Sequence, residues 1–312
     1  MIGVAFIGCG GIMEEHYRHL AGMPDVKMLG HCDVDEARAR NVADRFGGDA
    51  FTDCKTMLDK VKPEAVYMAV PPFAHGDAEV MAAERGIHLF IEKPLALETR
   101  TAQRIATAIR KAKVLSSVGY CYRYCDTIAL ARRLLKGKAV SLVTGYLHGG
   151  MPGVWWWRQM NKSGGQVLEQ TTHLFDLMRY LCGEVAEVHA MASRGCMTKI
   201  KDYDVDDSSA VTLRLKSGAT ACITSTCVMN NGTKTGLDIV TPEATFRIRP
   251  GTLIVHEEGK TTEYRSSVNM YEEENKAFID AIGNGRRNRI RSTYDDALRT
   301  FLLTCAANDS MQ

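Results

Sequence analysis

Short apolar runs alternate with amphipathic segments through residues 2 to about 118 of this 312-residue chain. This alternation predicts a parallel sheet with helices on both faces, because parallel strands need a crossover connection that is usually helical. Strands that are apolar throughout are also typical of burial on both sides. The predicted strands are Ile2–Ile7, Val26–Cys32, Ala65–Val70, Ile87–Ile91 and Val114–Val118. The predicted helices are Ile12–Ala21, Asp35–Phe46, Ala74–Arg85 and Glu98–Lys111.

A glycine-rich turn joins the first strand to the first helix. Gly8 permits a tight turn, and Gly10 lets the backbone approach a pyrophosphate at the helix N-terminus. Gly11 and Ile12 then open the helix, while Met13 stands where glycine or alanine is usual. The position of the motif between a strand and a helix predicts a dinucleotide site.

The second strand ends at Asp33, at the spacing expected for an acid that accepts hydrogen bonds from a ribose diol. A carboxylate there would repel a 2′-phosphate, so NAD is favoured and NADP stays possible. The alternative is that Asp33 only caps the next helix, although Asp35 is better placed for that task.

Two further strand ends carry motifs, Val70-Pro71-Pro72-Phe73-Ala74-His75 and Glu92-Lys93-Pro94. Ligands of open α/β sheets bind beyond the carboxyl ends of the strands. We therefore expect both motifs to lie near the cofactor. The alternative for Lys93 is an ordinary surface lysine.

The pattern changes after about residue 120. A helix at Asp126–Lys136, a strand and the Trp155–Trp157 segment lead to residues 184–266, which are predicted to be consecutive strands joined by turns. Consecutive strands indicate an antiparallel sheet. Two helices, Tyr271–Ile282 and Thr293–Ala307, close the chain. We predict a doubly wound domain over residues 1–120 and an α+β substrate and oligomerisation domain over residues 121–312.

Residues Val167–Leu181 are predicted to form one helix with two stripes. Leu174, Leu177, Met178 and Leu181 form the apolar stripe. Glu169, His173, Asp176 and Tyr180 fall on a second stripe, a pattern that indicates a catalytic face. The alternatives are a structural histidine flanked by carboxylates or a metal site, although no second ligand cluster supports a metal.

Together these motifs, with Gly119-Tyr120-x-Tyr122-Arg123-Tyr124, resemble the Gfo/Idh/MocA family of oxidoreductases, which includes inositol and sugar dehydrogenases. The resemblance implies a Rossmann doubly wound parallel sheet followed by an open-faced, mostly antiparallel sheet with helices on one face. It implies that Lys93 lies beside the nicotinamide and that His173 transfers the proton. Glu169 stands where the family commonly has Asp. The family's open sheet often pairs with a copy of itself, which implies a homodimer or homotetramer.

The expected reaction is hydride transfer between NAD and a hydroxyl carbon of a sugar or cyclic polyol. His173 would act as the base, Glu169 or Asp176 would orient its ring, and Lys93 would stabilise the alkoxide. The residues expected to line the substrate site are Tyr120, Tyr122, Arg123, Trp157, Arg158 and Asp176, with Trp155 and Trp156 beside them. The alternatives are a non-catalytic NAD-binding regulator and an enzyme that reduces an imine or an unsaturated ring.

Net charge, cysteine spacing and the lengths of apolar runs indicate which partners and which compartment to expect. The net charge of +2 and the absence of a long basic block disfavour a nucleic-acid partner. The ten cysteines form no Cys-x-x-Cys pair, so we expect a reducing, cytoplasmic setting. The sequence has no apolar stretch long enough for a membrane span and no signal peptide pattern.

Overall fold

The computed structural model describes residues 1–311, and within them the chain forms fourteen strands and eleven α-helices. The strands are β1 Ile2–Ile7, β2 Val26–Cys32, β3 Asp49–Phe51, β4 Ala65–Met68, β5 His88–Ile91, β6 Ser116–Val118, β7 Leu142–His148, β8 Val185–Ser193, β9 Ser208–Leu215, β10 Thr220–Thr226, β11 Lys234–Val240, β12 Ala244–Arg249, β13 Thr252–Glu257 and β14 Lys260–Arg265. The helices are α1 Gly11–Leu20, α2 Glu36–Phe46, α3 Cys54–Val61, α4 Asp77–Glu84, α5 Thr99–Ala112, α6 Asp126–Leu135, α7 Met160–Ser163, α8 Gly165–Glu169, α9 Thr172–Cys182, α10 Met270–Gly283 and α11 Tyr294–Ser310.

The chain divides into two compact units. The first unit comprises Met1–Cys121 and Asn269–Leu298, and the second comprises Tyr122–Val268 and the segment from Arg299 onwards. The predicted domains, residues 1–120 and 121–312, did not include the return of α10 to the first unit. Gln312, the last residue of the second predicted domain, lies outside the described residues.

The first unit contains a six-stranded parallel sheet in the order β3-β2-β1-β4-β5-β6. This is the doubly wound order expected of a Rossmann domain. The five predicted strands are confirmed. The edge strand β3 and the helix α3 were not predicted, because β3 has only three residues and α3 is short and mostly polar.

Aromatic side chains pack α10 against this sheet. The ring centroids of Tyr67 and Phe90 lie 4.7 Å apart, and Phe278 of α10 lies 5.7 Å from Phe90 and 5.6 Å from Tyr67. All three side chains are fully buried. Burial of one such ring contributes on the order of 2–3 kcal/mol to the free energy of folding. The aromatic core therefore stabilises the packing of α10 against the first sheet.

The second unit contains an eight-stranded sheet in the order β14-β13-β12-β11-β7-β10-β9-β8. Every neighbouring pair is antiparallel except β7 and β10, so the prediction of a mostly antiparallel sheet is confirmed. The predicted hairpin between β9 and β10 is present, and Gly218 in its turn has a φ of +93°.

The prediction of one helix over Val167–Leu181 is wrong. The helix is interrupted after Glu169, and α9 begins at Thr172. The Thr171 hydroxyl lies 2.8 Å from the Ser225 hydroxyl on β10, and the Gln166 side-chain amide donates to the carbonyl oxygen of Thr226 at 2.8 Å. These hydrogen bonds attach the chain to the sheet at the interruption between α8 and α9.

Among residues 1–311, no helix has the length and apolar character that crossing a bilayer requires.

Candidate active site

The turn between β1 and α1 is shaped for close approach of an anion. Gly8 has a φ of +85°, and a Cβ there would overlap the carbonyl oxygen of Ala69. Gly10 precedes α1 and supplies no side-chain cap, and a Cβ on Gly10 or Gly11 would meet no atom within 4 Å. Uncapped backbone N–H groups that face open space fit a pyrophosphate. Met13 does not crowd this turn, because its side chain is fully buried in the core.

Asp33 connects the end of β2 to the glycine turn. Its Oδ2 accepts from the backbone N–H of Cys9 at 2.8 Å, and its Oδ1 accepts from that of Asp35 at 2.9 Å. Asp35, by contrast, caps α2 by accepting from the N–H groups of Ala37 and Arg38. The alternative in which Asp33 merely caps that helix is therefore wrong. Each Asp33 oxygen keeps a further lone pair for a hydroxyl donor.

The motif after β4 contains a buried imidazole–carboxylate pair. Pro72–Ala74 forms a 3₁₀ turn, and His75 Nδ1 then lies 2.6 Å from Glu79 Oε1. Glu79 Oε2 accepts from the backbone N–H of Gly76 at 2.7 Å, and neither the His75 nor the Glu79 side chain is exposed. Burial raises the pKa of Glu79, but His75 and the Gly76 N–H outweigh it and lower that pKa overall. Glu79 therefore holds His75 in one orientation.

The Glu92-Lys93-Pro94 motif directly follows β5. Glu92 is buried, and Lys93 is partly exposed. Glu92 Oε2 accepts from the backbone N–H of Lys93 at 3.2 Å, and its Oε1 lies 3.1 Å from His16 Nε2. The peptide bond between Lys93 and Pro94 is cis. Lys93 is thus anchored by its own backbone to a buried carboxyl group.

A buried ion pair organises the second unit. Arg123 donates two hydrogen bonds to Asp176, from Nε to Oδ2 at 2.7 Å and from a terminal nitrogen to Oδ1 at 2.6 Å. The Thr300 hydroxyl donates to Asp176 Oδ1 at 3.0 Å, and Arg179 donates to that hydroxyl at 2.6 Å. Burial raises the pKa of Asp176, and the Arg123 guanidinium opposes that rise. We assign Asp176 as ionised, because a guanidinium stays charged.

His173 lies on α9, three residues before Asp176. Its ring is tilted against that of Tyr122, with centroids 4.9 Å apart. Glu169 lies on the separate helix α8, and its Oε2 accepts from the Trp157 indole N–H at 2.7 Å. The prediction that Glu169 and His173 share one stripe of one helix is therefore wrong.

The predicted substrate residues divide by burial. Tyr122 and Arg158 are partly exposed. Tyr120, Arg123, Trp157 and Asp176 are each at most 2% exposed. In the second unit, Trp157 and Asp176 form hydrogen bonds within the protein, with Glu169 and Arg123 respectively. Tyr120 lies in the first unit, whereas the other three buried residues lie in the second.

Sequence reasoning missed His16, Glu79 and Glu274. Each has a detectable signal, since each stands on the apolar stripe of its own helix. His16 falls between Met13 and Tyr17 on α1, and Glu274 is four residues before Phe278 on α10. A polar side chain at such a position is buried with its partners or unpaired, and both are unusual.

We predict that Asp176→Asn destabilises the second unit by about 3–5 kcal/mol, because it leaves the Arg123 charge buried without a counter-ion. Urea unfolding followed by tryptophan fluorescence would measure this change. The three tryptophans, Trp155–Trp157, all lie in the second unit.

The matched control is Glu187→Gln, which removes the partner of Arg214 in an ion pair with both side chains about 60% exposed. It should cost less than about 1 kcal/mol. Equal effects of the two substitutions would show that the buried pair contributes no more than the exposed one.

Family models match both parts of the chain. Residues 2–120 match the family described as "Oxidoreductase family, NAD-binding Rossmann fold", and residues 130–247 match the "GFO/IDH/MocA C-terminal domain". The myo-inositol 2-dehydrogenase of Thermotoga maritima is 26% identical, with 99% of this chain and 96% of that protein covered. The levoglucosan dehydrogenase of Pseudarthrobacter phenanthrenivorans is 26% identical, with 72% and 67% covered.

A solved structure of a levoglucosan dehydrogenase in complex with NADH and levoglucosan has the same fold. Its TM-score is 0.88 at 20% sequence identity, with 99% of this chain and 96% of that chain covered. The chain therefore belongs to the Gfo/Idh/MocA family of oxidoreductases, and its first unit carries the family's NAD-binding Rossmann fold.

Proposed function

We propose that this protein is an NAD-dependent dehydrogenase that transfers a hydride between the nicotinamide and a hydroxyl carbon of a sugar or cyclic polyol. The observation that carries the proposal is the match of both halves of the chain to one oxidoreductase family. Relatives named as inositol, glucoside and levoglucosan dehydrogenases support the substrate class.

The cofactor part of the proposal rests on the glycine turn and Asp33. The uncapped N-terminus of α1 would hold the pyrophosphate, and Asp33 would accept from the ribose hydroxyls. Val70, Pro71, Pro72 and His75 would border the same cofactor. NAD supplies the hydride acceptor when bound.

The chemical part of the proposal assigns a proton-transfer role to His173 and a charge-stabilising role to Lys93. Oxidation of an alcohol requires the loss of the hydroxyl proton together with the hydride, and an imidazole is a suitable base near neutrality. The ammonium group of Lys93 would stabilise the developing alkoxide. The ion pair of Arg123 and Asp176 would fix α9 and so the backbone of His173.

The substrate part of the proposal rests on Tyr122 and Arg158. Arg158 Nε is buried and has no hydrogen-bond partner among the described residues, so the guanidinium keeps a donor for a substrate hydroxyl or carboxylate. Trp155, which is 56% exposed, offers an apolar face to a sugar ring. Glu169 accepts a hydrogen bond from Trp157 and would in this way hold the Trp155–Trp157 segment in place.

We further propose a homodimer or homotetramer in which the open face of the eight-stranded sheet pairs with a copy of itself, in a cytoplasmic setting. Strand β9 supports this arrangement because it alternates between buried residues such as Val211 and exposed ones such as Thr212. Light scattering would measure the oligomeric mass.

We predict different effects for two glycine substitutions in the turn. Gly8→Ala should destabilise the first unit by about 2 kcal/mol or more, because it strains a positive φ and overlaps Ala69. Gly10→Ala should fold normally, since its φ of −82° suits alanine. It should nevertheless weaken NAD binding by about tenfold or more, because the methyl group occupies the space that the pyrophosphate approaches. Calorimetric titration would measure the affinity, and unchanged affinity in Gly10→Ala would contradict the site.

We predict that His173→Ala and Lys93→Met each lower kcat by about 10²–10⁴-fold, because each removes a group that acts on the transferring proton or the alkoxide. NAD affinity should stay within about twofold in His173→Ala. The assay is NAD reduction with a panel of sugars and cyclic polyols.

The matched controls are His189→Ala and Lys136→Met, since His189 and Lys136 are exposed. Both should turn over at the wild-type rate. NAD binding without turnover on any member of the panel would favour the non-catalytic regulator. Turnover on imines or unsaturated rings alone would favour the other enzyme class.

A further inference from the structure

A buried polar cluster adjoins the Glu92-Lys93-Pro94 motif within the first unit. His16 comes from α1, Glu92 follows β5, and Glu274 and Asn275 come from α10. Three of these residues have no exposed surface, and Glu92 is 4% exposed. A cluster of this kind must be neutralised from within, because water is excluded from it.

Asn275 fixes which nitrogen of His16 carries a proton. The Asn275 side-chain amide donates to the carbonyl oxygen of Tyr271 at 2.7 Å, so its Oδ1 is the atom 3.1 Å from His16 Nδ1. An amide oxygen only accepts, so Nδ1 must donate. His16 Nε2 then faces Glu92 Oε1 at 3.1 Å. One proton must lie between them, because two acceptors cannot form a hydrogen bond.

The carboxyl group of Glu92 is confined on its other sides. Its Oε2 accepts from the backbone N–H of Lys93 at 3.2 Å. It also packs where Gly119 lacks a side chain, since a Cβ on Gly119 would lie 2.6 Å from the carboxyl carbon. Glu92 therefore has no room to withdraw from Glu274.

Glu274 is the unexplained member of the cluster. Both of its carboxyl oxygens are buried, and neither has a hydrogen-bond partner among residues 1–311. One of them lies within 4.8 Å of ligand atoms of both His16 and Glu92. With a proton only on His16 Nδ1, the three side chains would carry two negative charges. Two added protons neutralise them, and the His16–Glu92 hydrogen bond accounts for one.

We propose that Glu274 is a neutral carboxylic acid in the folded protein and acts as a positioning residue. Its proton leaves Glu92 as the partner of His16 and the acceptor for the Lys93 N–H. The positioning role rests on the catalytic role proposed for Lys93, whereas the protonation state does not.

The surroundings of Glu274 agree with this assignment. Burial and the neighbouring Glu92 raise the pKa of Glu274 well above the ordinary value. The phenols of Tyr67 and Tyr271 and the thiol of Cys121 also face the cluster, and each is neutral when protonated. Burial also raises the pKa of Tyr271, so this phenol stays protonated.

A divalent cation would neutralise two carboxylates equally well. It would need the lone pair of His16 Nε2, which the hydrogen bond to Glu92 already engages at 3.1 Å. It would also have to enter a cluster with almost no exposed surface. Protons are therefore favoured, and the cation becomes an outcome of the test.

We predict that Glu274→Gln removes a protonated-carboxyl band from the infrared spectrum at neutral pH, because glutamine has the shape of the neutral acid but no ionisable proton. The control is Glu258→Gln, an exposed carboxylate that should leave the band unchanged. A band of equal size in wild type and Glu274→Gln would overturn the proposal. A stoichiometric divalent metal in wild type that is lost in Glu274→Gln would overturn it in favour of a cation site.

The pH dependence of unfolding tests the same proton independently. The pKa of Glu274 is raised on folding, so its contribution to stability is complete below the pKa of the unfolded chain and is lost as pH rises toward the folded value. Between these limits the unfolding equilibrium constant of wild type should rise about tenfold per pH unit relative to Glu274→Gln. Urea unfolding followed by circular dichroism measures it, and Glu258→Gln should follow wild type. Parallel curves for wild type and Glu274→Gln would overturn the assignment.

The positioning role has its own readout. Ionised Glu274 would repel the carboxylate that holds the Lys93 N–H, so kcat of wild type should fall at a lower alkaline pH than kcat of Glu274→Gln. Identical profiles would overturn the positioning role even if the band is lost. Absence of turnover in both proteins would defeat the proposed function, while the infrared and unfolding results would still decide the protonation state.

Discussion

The packing of α10 against the first sheet is the interaction on which the candidate site of that unit depends. Phe278 packs edge-on against the stacked rings of Tyr67 and Phe90, and Asn275, three residues earlier, reaches His16. One helix therefore supplies apolar burial and a polar contact to α1. The strand that carries Phe90 ends at Ile91, directly before Glu92 and Lys93, so the aromatic packing also fixes the strand end from which that motif extends. A domain cut at residue 120 would lack this support, although it would retain every strand of the sheet.

Much of the first unit could be predicted because its signals are local. The bounds of β1 and β2 agree with the predicted runs Ile2–Ile7 and Val26–Cys32, since each run is flanked by residues that end strands. The roles of Asp33 and Asp35 could also be separated by position, because a cap must immediately precede its helix. The strand β3 escaped prediction, since its three residues are too few to show a period.

The second unit shows where local signals fail. The period of Val167–Leu181 is helical, yet the bonds of Thr171 to Ser225 and of Gln166 to Thr226 interrupt it. Their partners lie more than fifty residues away, so no window around the helix contains them. The burial of Trp157 has the same origin, because it depends on Val205 and Cys227, which pack around it. The surroundings of these side chains therefore depend on distant strands.

The two buried acidic groups beside these elements differ in one physical respect. Asp176 faces a guanidinium that cannot release its proton, so its charge is settled by the partner alone. Glu92 faces an imidazole, whose proton count depends on what surrounds it. The first arrangement can only hold a helix in place. The second couples the position of a backbone N–H to the number of protons in the cluster, and that N–H belongs to Lys93. The motif that we propose stabilises the alkoxide is thus anchored to a carboxyl group that shares a proton with an imidazole, whereas α9, which carries His173, is anchored to a carboxylate paired with a guanidinium.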